Sequence, residues 1–185
     1  MKDLYWYIRP NLNYGTIEFR ICDGMSTLSE TMAVAALIHC LVVWAGQMLD
    51  DAPHLAQTPV ETGWVIPDNL WVAAREGLDG TIIENLDGKI ARISDAVREL
   101  IDRLQPVAAK LNCIEEMRDL LTILDKGNGA QRQLSRYQES KSLQEVVRTS
   151  VQEFESDVFF DEAVGLPYSE NGARYTARDS RIGFG

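Results

Sequence analysis

The chain has 185 residues, enough for one domain that buries roughly 70% of the surface its unfolded form exposes, so a disulfide-stapled miniprotein is excluded. Its 18 Lys and Arg against 28 Asp and Glu give a formal net charge of -10, opposite to the basic footprint of a nucleic-acid binder. A composition 45% hydrophobic and 25% charged is that of an ordinary globular chain and excludes one that is disordered throughout.

The chain opens on a hairpin pattern. Leu4 to Arg9 and Thr16 to Cys22 flank the loop Pro10-Asn-Leu-Asn-Tyr-Gly15, and the second strand alternates, with Ile17, Phe19 and Ile21 on one face and Thr16, Glu18 and Arg20 on the other. Thr27-Leu-Ser-Glu30 has capping-box spacing and opens an apolar helix to about Met48, expected to lie across the apolar face of the sheet. Met32 to Leu49 is long enough to suggest a membrane span, but Asp50 and Asp51 follow it and no Lys or Arg flanks it, so a buried helix is the better reading. His39, among Ala35, Ala36, Val42 and Val43 on that helix, reads as a hydrogen-bonded core residue rather than a metal ligand.

Asp50 to Pro67 is a Pro-rich connector, and Asp68 to Glu76 a short helix closed by Gly77. Thr81 to Asn85 and Lys89 to Ile93 flank Leu-Asp-Gly88 as a second hairpin. From Ser94 the apolar stripe Val97, Leu100, Ile101, Leu104, Ala108 and Leu111 marks a helix that Pro106 is expected to kink or split. Further helices run from Ile114 to Lys126, Ala130 to Glu139 and Ser142 to Glu155, and residues 156–185 read as an extended or partly disordered tail after a domain of residues 1–155. Cys22, Cys40 and Cys113 match neither a zinc knuckle nor a redox pair and read as reduced thiols in a cytoplasmic protein. No secretory signal pattern is visible at the N-terminus. The fold class expected is α+β, an antiparallel sheet with helices packed on one side.

The residues that could carry chemistry cluster in the first hairpin. Glu18 and Arg20 lie on one strand face about 6.8 Å apart, with Arg9 on the partner strand, so a carboxylate that could hold Mg2+ stands beside guanidiniums that could hold phosphate. For a bare Glu-x-Arg, a cross-strand salt bridge on a solvated face is the commoner outcome. The longer string is more specific. Trp6, Arg9, Pro10, Gly15, Thr16, Glu18, Arg20 and Asp23 match the pattern Trp-Asp-x-Arg-Pro-x-x-x-x-Gly-Thr-x-Glu-x-Arg-x-x-Asp, with Tyr7 in place of its first Asp. Asn69-Leu-Trp-Val-Ala-Ala-Arg75-Glu-Gly77-Leu-Asp79 and Gly127-Asn-Gly-Ala-Gln-Arg132-Gln follow in order. Together these segments resemble the C-terminal half of the bacterial carboxylate-amine ligases, the type 2 glutamate-cysteine ligase family.

The resemblance implies half of a glutamine-synthetase-like fold that uses ATP and Mg2+ to activate a γ-carboxylate as an acyl phosphate, which an amine then attacks. Glutamate and cysteine are the substrates it suggests. Carried over, Glu18 is a Mg2+ ligand, Arg20 contacts the transferring phosphate, and Arg9, Asp23, Asn69, Arg75 and Arg132 line the substrate and nucleotide site. Some of these residues also have plain structural readings. Trp71 and Arg75 are spaced to stack, Asn69 and Arg75 are too far round a helix to share one small ligand, and Arg132 in a first helical turn points to an anionic partner or, the preferred reading, to a solvated side chain. The family's N-terminal half, with its further metal-binding glutamates, lies outside these residues, so the chain alone is expected to be inactive. The partners expected are that missing half or a complementary subunit, and a second copy in a homodimer; neither nucleic acid nor a membrane is expected. The alternative is a non-catalytic interaction module derived from the same fold.

Overall fold

The computed structural model describes residues 7–54, 63–85, 87–157, 159–161 and 166–168. Trp6 and most of the tail therefore lie outside the described residues. Strands β1 (Ile8–Asn11) and β2 (Thr16–Phe19) pair antiparallel with Arg9 opposite Glu18, and Gly15 turns the chain at φ 62. Helix α1 (Leu28–Asp51) starts on the capping box read from the sequence: Thr27 accepts from the Glu30 amide, and the Glu30 carboxylate accepts from the Thr27 amide. Helix α2 (Val65–Glu76) carries Pro67 in its first turn, where the missing N–H costs nothing. Strands β3 (Thr81–Ile83) and β4 (Ile90–Arg92) form the second hairpin. Helices α3 (Ile93–Leu111), α4 (Ile114–Lys126), α5 (Gly129–Ser140) and α6 (Leu143–Ser156) follow, then the antiparallel pair β5 (Phe159–Asp161) and β6 (Leu166–Tyr168).

The chain is mixed α+β, but its described strands do not form the expected single sheet covered on one side by helices. They form three separate two-stranded pairs, and the helices build the core among themselves. Ala33, Ala36 and Cys40 of α1 meet Ile101, Leu104, Val107 and Ala108 of α3 and Met117 and Leu120 of α4. The reason is steric: the small residues of α1 let two helices approach closely, whereas a lone two-stranded ribbon is too narrow and too twisted to cover a 24-residue helix. Ile17 and Ile21 of the first hairpin are consequently half exposed. Burial of Ile101, Leu104 and Met117 contributes about 1.5–3 kcal/mol each.

Two further expectations need correction. His39 is exposed, because the inner face of α1 is the Ala33–Ala36–Cys40 stripe and His39 lies on the outer one with Met32 and Val42. Pro106 does not split α3, which runs on through it with the ring on the exposed side. Of the tail, the described residues include the short antiparallel strand pair β5 and β6, and the rest of it lies outside the described residues. Among the described residues α1 is the one helix long and apolar enough to cross a membrane by length and composition, and here its inner face is packed on α3 and α4.

The two ends of the helical body meet. Asp157, at φ 53 just beyond α6, accepts hydrogen bonds from the Ser29 amide at 2.8 Å and the Ser29 hydroxyl at 2.9 Å. A carboxylate there also faces the positive end of the α1 dipole.

Candidate active site

The first hairpin gathers the candidate residues whose spacing suggested chemistry. Because Arg9 and Glu18 are directly paired in register, their side chains rise from the same face, and Arg9 Nη2 and Nε reach Glu18 Oε2 at 2.6 and 2.8 Å. Arg20 continues the ladder, its amide donating to the Tyr7 carbonyl at 2.8 Å, and its Nε stands 3.5 Å from Glu18 Oε1. Two guanidiniums thus flank one carboxylate, all three partly accessible, with side-chain exposures of 27% for Arg9, 41% for Glu18 and 33% for Arg20. Asp23 follows three residues on, exposed, its Oδ1 accepting from the Gly24 amide at 2.8 Å.

The other candidates make their contacts elsewhere. Asn69 clips β3 to α2: its side-chain amide donates to the Ile83 carbonyl at 2.8 Å and accepts from the Ile83 amide at 2.9 Å, as a neighbouring strand would. Arg75 lies over the Trp71 ring at 4.7 Å, both side chains exposed, the stacking pair that their spacing allows. Arg132 overturns the solvated reading. Its side chain is only 11% exposed, with Nη1 and Nη2 on the two oxygens of Glu30 at 3.0 and 3.1 Å and Nε on Glu153 Oε1 at 3.1 Å. Nη1 also donates to the Gly127 carbonyl at 2.7 Å.

That cluster explains the glycines before it. Gly127 sits at φ 86, in the left-handed region, and a Cβ on Gly129 would come within 3.2 Å of the Ser26 hydroxyl, in the segment joining the first hairpin to α1. Sequence reasoning missed Glu30 and Glu153 as partners of Arg132. The only local signals were the capping box for Glu30 and a carboxylate placed late in α6 for Glu153. Burial raises the pKa of Glu153, and the Arg132 charge works against that rise. Cys40 and Cys113 touch in the core with sulfurs 3.6 Å apart, and burial pushes the Cys40 thiol up to about 11, so it is not poised as a nucleophile.

Among the described residues no group of three or more His, Cys, Asp and Glu could hold a metal ion. Glu18 does not make a Mg2+ site by itself, since Mg2+ asks for six oxygens and this carboxylate is already held by Arg9. A separate concavity of about 450 Å³ between the second hairpin and α3 has its charges paired internally, Lys89 with Glu84 and Arg103 with Glu99.

The sequence model of glutamate-cysteine ligase family 2 matches residues 1–153, which include the first hairpin, the Asn69–Asp79 segment and the Arg132 cluster. The chain belongs to this family. A relative from Corynebacterium efficiens, provisionally named glutamate–cysteine ligase 2-1, is 44% identical over 135 residues, covering 73% of this chain and 35% of its own length. A relative of the same provisional name from Arthrobacter sp. strain FB24 is 43% identical over 133 residues, 72% of this chain and 34% of its own. One from Clavibacter sepedonicus, provisionally glutamate–cysteine ligase 2, is 41% identical over 156 residues, 84% of this chain and 40% of its own. The chain thus spans little more than a third of these curated relatives, a coverage consistent with a C-terminal half of the family's catalytic unit.

Proposed function

We propose that the chain is the C-terminal part of an ATP-dependent carboxylate-amine ligase of the glutamate-cysteine type, active in the cytoplasm with ATP, Mg2+, glutamate and cysteine. The observation that carries this reading is the Arg9–Glu18–Arg20 face of the first hairpin, inside a chain that belongs to the family. In such a ligase the γ-carboxylate of glutamate attacks the terminal phosphorus of ATP, giving an acyl phosphate and ADP. The cysteine amine then attacks the acyl carbon, phosphate leaves, and the amine proton passes to solvent.

The residues present suit the anionic side of that chemistry. Two guanidiniums flank one carboxylate, and fixed donors at developing charge are what phosphoryl transfer needs. Arg9 holds Glu18 in place, and Glu18 in turn spaces the two guanidiniums. A Mg2+ role for Glu18 needs further oxygen ligands from outside the described residues, such as the part of the relatives that this chain does not span. In this reading that part, joined to this chain or supplied as a complementary subunit, completes a glutamine-synthetase-like site. Asp23, Asn69 and Arg75 belong to its wall only if completion frees or turns them.

Titration calorimetry with Mg-ATP tests the proposal on this chain alone and on a single-chain fusion in which it replaces the matching stretch of the Arthrobacter relative. Binding is expected in the fusion only, and Glu18→Gln is expected to abolish it with the unfolding temperature unchanged. Unaltered Mg-ATP affinity in the Gln variant rules out the metal role. Absence of binding by the fusion leaves the non-catalytic interaction module, a reading that the exposed apolar side chains of the hairpin would then favour.

A further inference from the structure

Helices α5 and α6 pack against each other inside out. Between them lie charges, Arg132 on Glu153 and Arg136 on Glu145, while apolar side chains point away from the pair. On α6, Leu143, Val147, Val151 and Phe154 recur at spacings of four, four and three, one stripe along the helix, and they are 72, 62, 48 and 69% exposed. Leu134 and Tyr137 of α5 are exposed as well. A two-helix hairpin normally turns its apolar stripes inward, and an exposed apolar stripe of this kind marks a face for a second body to cover.

We infer that the α6 stripe is a docking face for the part of the ligase that the relatives carry outside the stretch they share with this chain. The lengths supply the occupant. The family match reaches residue 153, so Leu143, Val147 and Val151 belong to the shared unit, yet that unit is only 34–40% of the relatives' length. The larger share of such a protein must pack somewhere on this unit. A second copy fits less well, because two whole chains of net charge -10 repel each other on approach. The inference rests on the reading that a complementary part completes this chain, but it concerns assembly and not nucleotide chemistry.

The test is the double variant Val147→Glu/Val151→Glu, made both in the isolated chain and in the Arthrobacter fusion described above, with thermal unfolding and sedimentation as readouts. In the isolated chain both side chains face solvent, and the unfolding temperature is expected to move by no more than about 2 °C. In the fusion it is expected to fall by about 5 °C or more, because two carboxylates are then buried without partners. An equal fall in both settings means that the stripe is covered within this chain, by residues 158–185 for instance, and overturns the inference. So does no fall in either, and so does a wild-type dimer of the isolated chain that the variant splits. Mg-ATP binding is read separately by calorimetry, so a fusion that docks but binds no nucleotide defeats the function proposed above and leaves the docking face standing.

Discussion

Arg132 is a single residue that answers to two carboxylates, and its surroundings set what each substitution does. Glu30, Glu153 and Arg132 are all nearly buried and together carry one surplus negative charge. Arg132→Met leaves two buried carboxylates facing each other without a counter-charge and is expected to cost about 3–5 kcal/mol in urea unfolding. Glu153→Gln removes the surplus and keeps an oxygen for Arg132, so its cost at neutral pH is expected to stay within about 1 kcal/mol. The same pair of residues fixes a pH dependence. The folded pKa of Glu153 is raised above its ordinary 4.5, so its contribution to stability is full below that ordinary value and is lost as pH rises through the folded one. Wild type minus Glu153→Gln, measured from about pH 4 to about pH 7, should therefore fall with rising pH. A flat difference would show that burial does not govern this carboxylate.

Among the elements, β3 is held along both edges: β4 pairs with one, and the side chain of Asn69 from α2 closes the other. Asn69→Leu leaves the Ile83 amide and carbonyl without that partner and is expected to cost about 1–3 kcal/mol, with faster hydrogen exchange at the Ile83 amide. Unchanged exchange there would show that the clip is idle. Much of this level was readable from sequence. The bounds of α4 follow from Asn112 and Gly127 at its flanks, and the α3 stripe predicted its inner face except for Val107, which is buried with it. What could not be read was the pairing of elements. Helix α1 is apolar on nearly every side, so no period distinguishes the face of Cys40 from that of His39. Arg132 and Glu30 are 102 positions apart, and a first-turn Arg hints at an anionic partner without saying which distant carboxylate it is. The hairpin site was legible as a cluster because strand register is local: Arg9, Glu18 and Arg20 share a face by alternation alone.

The whole molecule carries a net charge of -10, and many of its ion pairs are exposed and contribute little. Screening then relieves more repulsion than it removes attraction. The unfolding temperature at neutral pH is expected to rise by a few degrees between low salt and about 0.5 M sodium chloride, and a fall would mean that the ion pairs outweigh the net charge. At this scale the contact between Asp157 and Ser29 has another consequence. It joins positions 128 apart and brings the end of α6 to the first turn of α1, so the six helices lie on a closed circuit rather than along an open line. A circuit has no obligatory starting point. A permuted gene that bridges Asp157 to Thr27 with a short glycine linker and opens in the Asn112 turn would encode the same helical body in a different order, with the first hairpin left free to be attached at either new terminus.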